Sequence, residues 1–88
     1  MRKVEPNNQF KRDLKLADKR GKDMHKIHDI ITKLQIDGQL DTKYKPHLLK
    51  GKYTGLWECH IEPDWLLIYQ VFADTVLLIR TGSHADLF

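Results

Sequence analysis

One cysteine, three prolines and five glycines in 88 residues rule out several architectures. The single thiol, Cys59, cannot close an internal disulfide, which fits a reducing compartment and leads us to expect a cytoplasmic protein. The longest unbroken apolar run, Trp65 to Tyr69, falls far short of the roughly 20 residues that cross a bilayer. No basic start followed by an apolar stretch marks a secretory leader, so no membrane association is expected. No internal repeat or low-complexity segment interrupts the chain.

What is present suits one soluble domain spanning residues 1–88. Apolar residues make up 41% and charged residues 31% of the chain, as in an ordinary globule. A chain this short buries only about 60–65% of its unfolded surface, enough for one core. The net charge of +3 conceals an imbalance. Residues 1–53 carry 14 Lys and Arg against 7 Asp and Glu, whereas residues 54–88 set only Arg80 against five acids. A basic half attracts a polyanion or an acidic protein, although a Lys-rich solvated helix face accounts for much of it.

The spacing of apolar residues predicts the elements. Met1 to Glu5 alternates weakly and reads as a short edge strand. Pro6-Asn7-Asn8 supplies a turn and a helix cap, and Phe10, Leu14 and Ala17 then follow at helical spacing up to Arg20-Gly21. A second helix begins near Asp23, carries Met24, Ile27, Ile31 and Leu34, and ends at Asp37-Gly38. Gln39 to Tyr53 shows no period and reads as a long basic loop holding Lys43, Lys45, His47, Lys50 and Lys52. Such length favours a functional loop over a plain connector. Three strands follow, separated by Glu62-Pro63-Asp64 and Ala73-Asp74. The expected order is βααβββ. That is an α+β domain with a helical hairpin packed on a mostly antiparallel four-stranded sheet.

Consecutive hairpins place the end of one strand beside the start of the next. His60, Asp64 and His84 therefore share one end of the sheet. Arg80 lies a short stretch inward, and simple alternation puts it on the face of Val76 and Leu78. Nothing local places His47. Two imidazoles and a carboxylate at a sheet edge suit acid/base chemistry. Cleavage of RNA by its own 2′-hydroxyl needs a base, an acid and a cation for the phosphoryl oxygens. Arg80 can supply that cation through its planar fork. Asp64 can orient a histidine or take a proton itself. The lysines of the loop provide a salt-dependent grip on phosphates. Cys59 alternates to the face opposite His60, so no Cys–His nucleophile is expected. His25 and His28 lack nearby acidic or thiol partners for a metal. Trp57 and Trp65 read as packing residues.

Three segments, His47-Leu-Leu-Lys-Gly51, His60-Ile-Glu-Pro-Asp64-Trp65-Leu-Leu-Ile-Tyr69 and Arg80-Thr-Gly-Ser-His84-Ala-Asp-Leu-Phe88, resemble the signature of YafQ-type toxins in the RelE/ParE toxin–antitoxin superfamily. The resemblance covers nearly the whole chain. It implies a RelE-like fold and a ribosome-dependent endoribonuclease that cuts mRNA in the A site of the 70S ribosome and needs no metal or cofactor. It implies a cognate antitoxin of the DinJ/RelB kind, with operator DNA reached only through the antitoxin complex. Matched to the family, His47, His60, Asp64, His84 and Phe88 fall at functional positions, and Arg80 precedes the Gly-Ser-His turn. His84 and Asp64 are the preferred proton-transfer pair, with His47 and His60 positioning substrate or sharing that work. Phe88 either covers the core or stacks on a base. Two other readings remain open at this point. One is a ParE-like inhibitor of a protein such as gyrase. The other is a metal module built on His47, His60, Asp64 and His84.

Overall fold

The computed structural model describes all residues 1–88. Strand β1 (Lys3–Pro6) leads into helix α1 (Asn8–Lys19) and helix α2 (Met24–Asp37). A short strand β2 (His47–Leu48) lies between two single helical turns, Thr42–Tyr44 and Gly51–Tyr53. Strands β3 (Trp57–Glu62), β4 (Trp65–Val71) and β5 (Thr75–Gly82) and a last helical turn α3 (His84–Leu87) complete the chain. The sheet has five strands in the order β1-β5-β4-β3-β2. The sequence led us to expect four. The extra strand is two residues long, too short for alternation to register, and it arises inside the segment read as a loop. All pairings are antiparallel except that of β1 with β5.

Local chemistry sets the helix ends. The Asn7 side chain accepts from the Phe10 N–H, and Asp23 caps α2 by accepting from the His25 N–H. Gly21 adopts a left-handed conformation after α1 (φ 82°). Its N–H donates to Asp18, while that of Lys22 donates to Ala17. Together these bonds form a Schellman turn.

β4 is the central strand, and its residues Trp65 to Tyr69 are buried on both faces. On one face Phe10, Ala17, Ile27, Ile30 and Leu34 from the helices pack against Cys59, Trp65, Leu67, Tyr69, Val76 and Leu78. On the other face Leu66 and Ile68 are covered by Leu49 and Tyr53 of the basic loop and by Leu87 of α3. The basic loop is thus a packed layer, and α3 is sewn to it by the Tyr53 hydroxyl, which donates to the Leu87 carbonyl at 3.2 Å.

A bulge redirects β5. Ile68 faces Arg80 and Tyr69 faces Leu78, leaving Ile79 without a partner. Directly opposed residues point to the same side. Arg80 therefore shares the face of Ile68, opposite Val76 and Leu78. The expectation from simple alternation fails because one residue is passed over. Leu67 lies at the centre of the helix-side core and is fully buried. Leu67→Ala should cost about 2–5 kcal/mol, read as a lower urea midpoint with an unchanged slope; a loss below about 1 kcal/mol would contradict this packing.

Candidate active site

Two turns bring the first pair together. Pro63-Asp64 joins β3 to β4, and Ser83 starts α3 immediately after β5. The Ser83 hydroxyl accepts from the Asp86 N–H, and the Asp86 carboxylate accepts from the Ser83 N–H, a reciprocal capping box. This cap points His84 at Asp64. One carboxylate oxygen of Asp64 accepts from the His84 backbone N–H at 2.8 Å and meets His84 Nδ1 at 2.6 Å. These two bonds, the backbone one first, hold the Asp64 carboxyl below the ordinary carboxylate range. A carboxylate can only accept, so Nδ1 carries the hydrogen and Nε2 is left to exchange protons. Asp64 is thus an orienting partner of His84, which narrows its expected role as a proton carrier.

The second group assembles on Glu58. β2 pairs with β3 so that His47 lies opposite Glu58, which brings His47 to a site that no local feature of the loop indicated. Glu58 Oε1 lies 3.4 Å from His47 Nε2 and 3.7 Å from His60 Nε2. The residue is only 4% exposed. His47 Nδ1 stands 3.1 Å from the Lys45 carbonyl, which accepts only, so this nitrogen also carries a hydrogen. The contact between Nε2 and Glu58 is then attractive only with a proton between them. The rings of His60 and His84 are 5.8 Å apart, and those of His47 and His60 are 6.5 Å apart. The result is a continuous row: Asp64, His84, His60, Glu58, His47. Reading the sequence missed Glu58 as a member. The available signal was a carboxylate two residues before His60, hence on the same face of a strand.

Arg80 differs from expectation. Its Nε donates to Asp13 Oδ2 at 2.7 Å and its Nη2 to Asp13 Oδ1 at 3.1 Å. The same carboxylate accepts from the Thr81 N–H, where β1 no longer covers the edge of β5. Asp13 raises the Arg80 pKa further above its ordinary value. The Nε–Nη2 edge that was to hold phosphate is therefore taken by a nearly buried carboxylate from α1, and Arg80 ties the helix to the sheet.

The other expected contacts lie around the row. Lys43, Lys45, Lys50 and Lys52 are exposed. Lys43 and Lys45 line a groove of about 310 Å³ together with His60 and Pro63. Lys52 sits over the Tyr53 ring, and Phe88 meets that ring edge-on at 5.5 Å. Phe88 is 62% exposed, while Leu87 is the residue that covers the core. Cys59 is buried on the helix side, and that burial pushes its thiol pKa up to about 12. Two larger hollows, of about 610 Å³ between α1 and α2 and about 480 Å³ beside Trp57, hold neither the row nor its lysines. Titratable groups, not volume, mark the site.

A family model described as "Bacterial toxin of type II toxin-antitoxin system, YafQ" matches residues 2–88. The chain belongs to the YafQ toxin family. The mRNA interferase toxin YafQ of Escherichia coli K12 is 43% identical to it over 89 residues, covering 99% of this chain and 96% of that protein. YafQ in the crystallised E. coli DinJ-YafQ complex superposes with a TM-score of 0.90 at 42% identity, covering 100% of this chain and 99% of that one. A metal-bound toxin from Helicobacter pylori superposes equally well, with a TM-score of 0.90 at 39% identity and 100% of both chains covered. In this member of the YafQ family no three His, Cys, Asp or Glu side chains are grouped closely enough to hold a metal ion.

Three carboxylates near the site, Asp64, Glu62 and Asp86, have pKa values below their ordinary range because each accepts hydrogen bonds from fixed or charged donors. Such groups bind protons more weakly when folded than when unfolded. Their contribution is complete above the unfolded pKa of about 4 and is lost as pH falls through the lower folded values. Urea midpoints should therefore fall as pH drops below about 4, with a shallower slope in Asp86→Asn. An identical slope in the variant would contradict the assignment.

Proposed function

We propose that this YafQ family member is an mRNA interferase that cleaves mRNA on the translating ribosome, using the 2′-hydroxyl of the RNA as nucleophile. The observation that carries this reading is the row of three imidazoles on two carboxylates, flanked by exposed lysines. The 2′-oxygen attacks phosphorus while the bond to the 5′-oxygen breaks. The 2′-proton passes to a base, and the 5′-oxygen receives a proton from an acid. The products are a 2′,3′-cyclic phosphate and a 5′-hydroxyl.

The geometry suggests roles. His84, with its hydrogen held on Nδ1 by Asp64, presents a free Nε2 lone pair and acts as the base. His60 and His47 face Glu58, so a proton on either ring meets a counter-charge. His60, next to His84, serves as the acid. His47, together with Lys43 and Lys45, offsets charge on the phosphoryl oxygens. Lys50 and Lys52 lie along the path of the strand, and Phe88 stacks on an unpaired base, worth roughly 1–3 kcal/mol. No metal or cofactor takes part in these steps. Phosphate contacts give affinity that falls with salt. The 70S ribosome presents the message in its A site and explains how so small a basic surface suffices.

An antitoxin of the DinJ/RelB kind would neutralise the protein in the cytoplasm and carry it to operator DNA. The basic half of the chain suits an acidic partner.

Cleavage of mRNA on purified translating ribosomes tests the proposal. His84→Ala should lose about 10²–10⁴-fold in rate with an unchanged circular dichroism spectrum. Full activity in that variant would remove His84 from the reaction. In the same assay, Lys43→Ala with Lys45→Ala should weaken binding and flatten its salt dependence by about two phosphate contacts; an unchanged salt slope would show that these lysines do not meet the message.

A further inference from the structure

The turn between α1 and α2 lies outside the row of histidines, yet it reaches both strand ends that carry the His84–Asp64 pair. Arg20 Nη1 donates to Asp86 Oδ2 at 2.7 Å, and Nη2 lies 3.4 Å from the other oxygen. Asp86 stands two residues after His84 and is the acidic member of the capping box that starts α3. From the same turn Lys22 donates to Glu62 Oε1 at 3.0 Å, and Lys26 in the first turn of α2 donates to Glu62 Oε2 at 2.8 Å. Glu62 stands two residues before Asp64. Lys22 also sits over the ring of Trp65, the residue after Asp64.

The aim of these cations is built into the backbone. The Schellman turn at Gly21 reverses the chain between Arg20 and Lys22 and sends both side chains back toward the sheet. Gly82 completes the fit. A Cβ placed there would come within 2.9 Å of Asp86 Cβ, so the chain carries no side chain where Asp86 folds over the end of β5.

We infer that the α1–α2 turn is a brace for catalysis, with Arg20 and Asp86 as positioning residues that hold His84 against Asp64. Neither residue need touch RNA. Arg20 fixes Asp86, Asp86 fixes the Ser83 N–H and hence the start of α3, and α3 aims the imidazole. Lys22 and Lys26 fix the turn bearing Asp64 in the same way through Glu62. Small misplacements of reacting groups are costly, on the order of 10²-fold in rate for 1 Å. A surface ion pair of modest worth to stability can therefore matter far more to rate. The inference rests on the cleavage reading above for its kinetic arm only.

The test is a double-mutant cycle. Arg20→Ala and Asp86→Asn are made singly and together in the full chain, with Arg20→Lys as a conservative variant that keeps the cation. The amide oxygen in Asp86→Asn can still accept from the Ser83 N–H, so that variant removes the charge and spares the cap. Single-turnover cleavage on translating ribosomes gives the rate at saturation and the half-saturating concentration. Arg20→Ala and Asp86→Asn should each lose about 10-fold or more in rate at an unchanged half-saturating concentration. The double variant should lose no more than the worse single one, because both break one link, and Arg20→Lys should keep most of the rate. Hydrogen exchange gives a readout independent of RNA. The His84 amide, which donates to Asp64, should exchange faster in both single variants and near the wild-type rate in Arg20→Lys, while the Ile68 amide in the central strand stays protected. Wild-type rates and exchange in the single variants would overturn the brace. So would losses that add in the double variant together with a raised half-saturating concentration, which would make these residues RNA contacts. A wild-type protein that fails to cut RNA would defeat the cleavage reading, and the exchange arm would still decide whether the brace exists.

Discussion

Asp64 receives two hydrogens from one residue, the backbone N–H and the imidazole N–H of His84, and the rest of the site is arranged around that junction. It joins the turn before β4 to the turn after β5. It sets which nitrogen of His84 is free. It also places the His84 ring beside that of His60, whose strand is registered on β4. The junction is exposed, with His84 and Asp64 side chains 55% and 68% accessible. An isolated pair so open to water would hold weakly. It persists because both of its backbones are anchored elsewhere, by the buried β4, by the Ser83 cap and by ion pairs from the helices.

Two buried carboxylates divide the labour on the sheet. Asp13 binds Arg80 and caps the uncovered edge of β5, and this is structural work. Glu58 lies under two imidazoles and has no Lys or Arg partner, so its charge is available to stabilise a proton carried by His47 or His60. Removing an arginine from Asp13 would leave an unpaired charge in the fold. Glu58 instead faces imidazoles, which can take up or release a proton. This difference separates an ion pair that holds the protein together from a contact that the proposed reaction can use.

Much of the fold was legible because its signals are local. Asn7, Asp23, Gly21 and Gly38 mark helix ends within a few residues of themselves, and the α2 stripe of Ile27 and Leu34 needs no knowledge of the sheet. The meeting of His60, Asp64 and His84 followed from hairpin pairing alone. What was not legible depends on contacts distant in sequence. β2 is too short to show a period, and its pairing carries His47 onto Glu58. The bulge that turns Arg80 to the other face is one unpaired residue, Ile79, invisible to strict alternation. Asp13 occupies a place in the buried stripe of α1 where an apolar residue is usual. It found its arginine 67 residues away. The histidines and Asp64 were visible in the sequence, whereas Glu58, the carboxylate beneath His47 and His60, became visible as a member of the site only in three dimensions.

In the proposed reaction protons pass between histidines and the ribose hydroxyl is the nucleophile. The most direct measurement is the chemistry of the new ends on ribosome-bound mRNA. The expected ends are a 2′,3′-cyclic phosphate and a 5′-hydroxyl, with no cutting when the scissile nucleotide is 2′-deoxy. A 3′-hydroxyl and a 5′-phosphate, or cleavage of the deoxy substrate, would contradict it.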